Sequence, residues 1–134
     1  MSTIVDFLKA IAGICRTESL NPEFWSVQGS SARVRVSSVP ELQAAGGAVY
    51  LKGTGLSAPI LIVKKQDGGY LCAENRCTHM GRKLDPVPGK EVLRCCSVNH
   101  STFDFEGNKL GGPASKPLTL LKSEIENGEL IIRL

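Results

Sequence analysis

Both histidines of this chain stand close behind a cysteine. The first cluster is Cys77-Thr78-His79, and the second is Cys95-Cys96-Ser97-Val98-Asn99-His100. Sixteen residues separate His79 from Cys96. Donors split in this way constrain the fold, because two distant loops must be held side by side before their side chains can share a centre. Two thiolates and two imidazoles can hold a pair of irons, the thiolates on one iron and the neutral imidazoles on the other. A Cys2His2 set also suits zinc. Gly81, Pro86, Pro88 and Gly89 lie between the clusters and fix a loop with no regular ladder to hold it.

The rest of the chain supplies a β scaffold. Arg33-Val34-Arg35-Val36 alternates as a half-exposed strand does. Ala48-Val49-Tyr50-Leu51, Ile60-Leu61-Ile62-Val63 and Tyr70-Leu71-Cys72-Ala73 read as buried strands. Gln66-Asp67-Gly68-Gly69 joins the last two as a hairpin. Leu118–Leu121 and Leu130–Arg133 flank a second hairpin signal, Asn127-Gly128. Val39-Pro40-Glu41-Leu42 reads as a turn or a short helical start. Short strands at regular spacing predict an all-β fold, a small antiparallel sandwich or barrel. Ahead of it, residues 3–15 read as one amphipathic helix, with Ile4, Leu8, Ile11 and Cys15 on one stripe. Phe24 and Trp25 are expected to anchor the helix to the sheet.

Composition removes several classes. The 134 residues suffice for one domain with a proper core. A net charge of +3 with no dense Lys/Arg run gives no case for nucleic acid. No run reaches transmembrane length, so no membrane span is expected. Five cysteines without a secretory signal predict a soluble, cytoplasmic protein rather than a disulfide scaffold. Cys72 in an apolar strand and Cys15 on an apolar helix face read as packed thiols.

Three boxes in order resemble the Rieske-type [2Fe–2S] domain. Cys77-Thr78-His79-Met80-Gly81 resembles that family's first box, Cys-Thr-His-x-Gly. Cys96 through Phe103-Asp104 resembles the second, Cys-Pro-x-His-Gly-Ser-x-Phe-Asp. Gly111-Gly112-Pro113-Ala114, with Pro117-Leu118, resembles the proline loop that covers the cluster. The resemblance implies a Rieske-type domain over residues 30–134, with a cluster-binding subdomain, preceded by a helix and connection over 1–29. It implies a [2Fe–2S] cluster held by Cys77, His79, Cys96 and His100, with no catalytic residue.

The chain also departs from the pattern. Aligning Ser101-Thr102-Phe103-Asp104 with the family puts Asn99 at the histidine position and His100 at the following glycine. Asparagine oxygen suits hard cations and is a poor ligand for this iron. His100 reaches the cluster if the loop bulges, Cys95 is another route, and an incomplete cluster is the third. Arg82 and Val98 stand where high-potential members resemble one another in carrying a bridging disulfide, so that bridge is expected to be absent. Ser101 matches the serine that donates to a cluster sulfur in that branch, and Phe103 replaces its tyrosine. The resemblance therefore implies the ferredoxin-like branch, at low to intermediate potential.

A one-electron carrier follows as the expected function, with no substrate transformed on this chain. The 2-His-1-carboxylate iron site of a Rieske oxygenase needs histidines beyond the two already claimed. Redox partner proteins are implied: a reductase, an oxygenase or another acceptor. A redox or iron sensor, or a binding module with an altered cluster, is the rival from another class. Arg82 and Lys83 read as a solvated edge, or as a docking rim for an acidic partner.

Overall fold

The computed structural model describes residues 17–76, 83–87, 89–96, 101–112 and 116–134. The expected helix at 3–15 lies outside the described residues. Eleven strands run through the described chain: β1 (Trp25–Gln28), β2 (Ser31–Val34), β3 (Ala48–Leu51), β4 (Ile60–Lys64), β5 (Tyr70–Glu74), β6 (Leu84–Pro86), β7 (Val92–Cys95), β8 (Thr102–Asp104), β9 (Lys109–Gly111), β10 (Ser123–Glu126) and β11 (Glu129–Arg133). They pair antiparallel into three sheets, ordered β1-β2-β11-β10, β3-β4-β5 and β6-β7-β8-β9. The expected all-β architecture is the observed one. Among the described residues, helical structure is limited to 3₁₀ turns at Pro22–Phe24, Val36–Ser38 and Pro40–Leu42.

Two apolar clusters hold the sheets together, and the β3-β4-β5 sheet lies between them. Ile60 and Ile62 pack with Ala32, Val34, Leu130 and Ile132 of the first sheet. Leu61 and Val63 face the other way, onto Leu84, Leu93, Cys95 and Phe103 of the third. Strand β4 is therefore buried on both faces, which is why its sequence is a continuous apolar run rather than an alternation. Each such buried side chain contributes roughly 1.5–3 kcal/mol.

Both hairpin expectations hold, with a correction to one flank. Asn127 and Gly128 have φ of 52° and 79°, the pair of positive values that a type I′ turn requires. The strand entering that turn is β10, Ser123–Glu126, which is largely exposed and rich in charge. The apolar stretch Leu118–Leu121 instead lies along β5, where Leu120 bridges Ala73 and the Leu121 N–H donates to the Cys72 carbonyl at 2.8 Å. The strand read at Arg33–Val36 begins earlier and stops at Val34, because Val36 opens a 3₁₀ turn. Trp25 opens β1, where it pairs with Val34, and Arg35 stacks over the Phe24 ring.

Candidate metal centre

The third sheet brings the flanks of the three boxes to one edge. Leu84 opposes Cys95, Arg94 opposes Thr102, and Thr102 opposes Gly111. The start of β6, the end of β7, the start of β8 and the end of β9 thus share one end of the sheet. Segment 77–82 enters β6 there, 97–100 joins β7 to β8, and 113–115 follows β9. Cys77, His79 and His100 lie within those segments, outside the described residues. Cys96 is the one expected ligand that the structure describes.

Cys96 is buried at this edge, and its N–H donates to the Lys83 carbonyl at 2.9 Å, tying the second box to the end of the first. Cys95 differs. Its side chain belongs to the apolar cluster beneath the sheet, with Leu84, Leu93 and Phe103. Adjacent strand residues point to opposite faces, so a thiol packed in that cluster is turned from its neighbour's side of the ladder. Ser101 is 1% exposed, and its carbonyl accepts the Cys95 N–H at 2.8 Å.

Asn75 was not legible as a site residue. It closes the apolar strand β5 just before the first box and is 2% exposed. Its N–H donates to the Pro59 carbonyl at 2.7 Å, and its Oδ1 accepts the Leu84 N–H at 2.9 Å. The two ends of the first ligand loop are thereby pinned by one side chain. The other arm of the amide, Nδ2, is buried with no hydrogen-bond partner. Leaving such a donor unsatisfied costs about 1–3 kcal/mol. The sequence signal was a lone carboxamide ending an apolar run, which also fits an ordinary turn.

A tight turn supports the opposite end of β8 and β9. Asp104 Oδ1 accepts the N–H groups of Glu106 and Asn108 at 2.9 and 2.8 Å, and Oδ2 accepts from Asn108 Nδ2 at 3.1 Å. Desolvation pushes the Asp104 carboxyl upward, but the hydrogen bonds from Asn108, Glu106 and Gly107 outweigh it and hold the group below its usual range. Gly107 follows at φ +86°, and a Cβ there would meet the Leu118 carbonyl oxygen at 3.1 Å. That carbonyl belongs to the segment returning from the proline loop, whose Leu118 N–H donates to Gly107 at 2.9 Å.

Other expectations also resolve. Lys83 is turned onto Tyr50, with Nζ 3.1 Å from the hydroxyl and 4.8 Å from the ring centre, rather than standing as a solvated charge. Arg82 lies outside the described residues. Cys72 is a buried thiol pushed up to about 11 by burial, against smaller lowering by Ser123 and Lys65. Among the described residues, no three His, Cys, Asp or Glu side chains gather as a metal site. No helix of the described chain is long and apolar enough to cross a membrane.

Comparison with known families decides the fold family. The pattern of the Rieske [2Fe-2S] domain matches residues 32–123. The chain belongs to the Rieske [2Fe–2S] family. The Rieske protein PetC3 of the Synechocystis PCC 6803 plasma membrane shares 21% identity, with a TM-score of 0.54 over 63% of this chain and 86% of that one. The ferredoxin of carbazole 1,9a-dioxygenase from Nocardioides aromaticivorans IC177 shares 15%, with a TM-score of 0.56 over 67% and 86%. The quaternary ammonium Rieske monooxygenase CntA shares 23%, with a TM-score of 0.54 over 69% of this chain but only 30% of the enzyme. At these identities the likeness is one of fold. No curated protein is matched by sequence.

A Rieske domain binds a [2Fe–2S] cluster and serves electron transfer. The described residues of this Rieske protein fit that group. Cys96 offers a buried sulfur, Ser101 is buried at the same edge, and Asn75 Nδ2 is a buried donor with no protein acceptor. Thiolate and imidazole donors suit iron–sulfur chemistry rather than hard cations.

Proposed function

We propose that this chain is a ferredoxin-like one-electron carrier whose cluster is held by Cys77 and Cys96 on one iron and His79 and His100 on the other. The observation that carries the proposal is the register of the third sheet, which collects the flanks of all three boxes at one edge with Cys96 and Ser101 buried there. Five residues, 96–100, separate Cys95 from Ser101, the spacing of the family's second box. The packing of Cys95 in the apolar cluster favours His100 over Cys95 as the fourth ligand.

The bound cluster supplies a one-electron couple, which imidazole ligation raises from roughly −400 mV towards about −150 to +300 mV. The chain's residues set the position within that range. Phe103 is fully buried and brings no hydroxyl, whereas Ser101 keeps one. One donor kept and one lost supports a low to intermediate potential. A redox titration above about +200 mV would overturn that assignment.

The partner class is a reductase on one side and an oxygenase or similar acceptor on the other. One structure similar to this chain is described as a complex of reduced oxygenase and oxidized ferredoxin in carbazole 1,9a-dioxygenase, at 19% identity and a TM-score of 0.56. Residues 30–134 form the Rieske-type unit of this carrier, 1–29 precede it, and the compartment is the cytoplasm. The displaced histidine favours a second reading, a redox or iron sensor with an altered cluster.

The test is an EPR spectrum of the reduced protein, beside His100→Ala and Cys95→Ala, with iron and sulfide counted. Mixed His/Cys ligation gives a lower average g value than an all-thiolate cluster. The proposal expects that lower value in the wild type, lost in His100→Ala and kept in Cys95→Ala. An unchanged His100→Ala spectrum removes His100 from the ligand set. A colourless, iron-free wild type favours the second reading.

A further inference from the structure

The structure assigns Asn75 a role that the three boxes do not include: its Nδ2–H donates to a sulfur of the cluster site and raises the reduction potential, a role resting on the [2Fe–2S] assignment proposed above. The placement comes from hydrogen bonds. Asn75 Oδ1 is fixed by the Leu84 N–H at 2.9 Å, so the orientation of the amide is set by its partner. Leu84 opposes Cys95 in the ladder, and the neighbouring Lys83 carbonyl accepts the Cys96 N–H at 2.9 Å. The carboxamide thus sits between the mouth of the first ligand loop and the sheet edge that carries Cys96. Its free arm has no protein acceptor.

Among the buried polar side-chain atoms described, Asn75 Nδ2 is the one without a partner. Native proteins rarely keep such an atom without a reason, a bound ionic group among them. Sulfide and thiolate sulfurs are anionic acceptors, and they gain negative charge when the electron arrives. A donor aimed at them stabilises the reduced form more than the oxidised one, which raises the potential. Asn75 then compensates in part for the hydroxyl missing at Phe103. It is a positioning and tuning residue, distinct from the ligands.

Asn75→Asp separates the two arms of the amide, because the carboxylate still accepts the Leu84 N–H but donates nothing. The measurements are the midpoint potential and pulsed EPR of the reduced protein, made with asparagine carrying a 15N side-chain amide. The wild type is expected to show a weak 15N coupling that Asn75→Asp loses. The variant's potential is expected to fall, with the reduction equilibrium weakened roughly tenfold, ~59 mV for one electron. A wild-type cluster without any 15N coupling overturns the assignment, and it does so even if the variant does not assemble. A coupling that is undiminished in Asn75→Asp also overturns it, as does an assembled variant at the wild-type potential. A purely structural role would lower the melting temperature, and the added carboxylate charge would lower the potential by itself, but the wild type would then show no 15N coupling to lose. A wild type that lacks the mixed-ligand EPR signal overturns the [2Fe–2S] assignment first, and that failure is told apart because no reduced cluster is present to couple.

Discussion

The backbone N–H of Cys95 donates to the carbonyl of Ser101 at 2.8 Å, and this bond ties together the two flanks of the second ligand box. Cys95 is the last residue of β7, and its side chain lies in the apolar cluster beneath the sheet. Cys95→Ala should therefore leave cluster content and spectrum intact while costing about 1 kcal/mol of stability, as a small packed side chain does. Cys95→Ser should cost more, about 1–3 kcal/mol, by placing a hydroxyl among Leu84, Leu93 and Phe103. Chemical denaturation with iron analysis checks both. Loss of iron from Cys95→Ala at full stability would return Cys95 to the ligand set.

Phe103 is the largest fully buried side chain among the described residues and lies under the ligand edge. Phe103→Ala should cost about 3–5 kcal/mol and impair cluster retention. Urea unfolding and the iron content of the purified variant measure the two effects.

At Gly107 the backbone is left-handed, and a methyl would crowd the Leu118 carbonyl. Gly107→Ala should cost about 1–3 kcal/mol, from backbone strain together with the contact. A thermal melt gives the value. A variant as stable as the wild type would mean that this turn readily adopts another conformation.

Asp104 titrates below its ordinary range in the folded chain. A depressed carboxyl contributes stability that is present above its unfolded pKa, near ~3.9, and is lost as pH falls through the lower folded value. Melting temperatures recorded downward from pH 5 should fall more steeply for the wild type than for Asp104→Asn. Parallel curves would show that the turn does not depend on the charge.

Cys72 has the opposite sign. Its thiol is raised to about 11 by burial, so the folded state holds that proton more tightly than the unfolded chain. Its contribution is complete below the unfolded pKa and fades as pH rises from about 9 towards 11. Alkylation at pH 8 should spare Cys72 in the native protein and label it after denaturation, as peptide mapping would report. Rapid native labelling would mean that strand β5 opens readily.

Much of this was legible in the chain. β3, β4 and β5 are dense apolar runs, and the Asn127-Gly128 turn has the chemistry that its dihedrals demand. The ligand sheet was harder to read. Strands β6, β8 and β9 have three residues each, too few for periodicity, and contain Pro86, Asp104 and Gly111. They form because the ladder and the apolar cluster beneath hold them, not because of local propensity. β10 went unread because its exposed residues are mostly charged and resemble a loop. Asn75 escaped because its importance lies in what its two amide arms meet, which no spacing rule encodes.

Strand β4 has one more consequence. With apolar residues on both faces, its polarity carries no information about alignment: a one-residue slip would still present oil to both sides. Its alignment must be set at the ends. At one end the Asn75 N–H grips the Pro59 carbonyl at 2.7 Å, and at the other Lys64 Nζ reaches the Gly68 carbonyl at 2.9 Å. The residue that opens the first ligand loop is thus also one of the pins that keep the central strand in step with its neighbours.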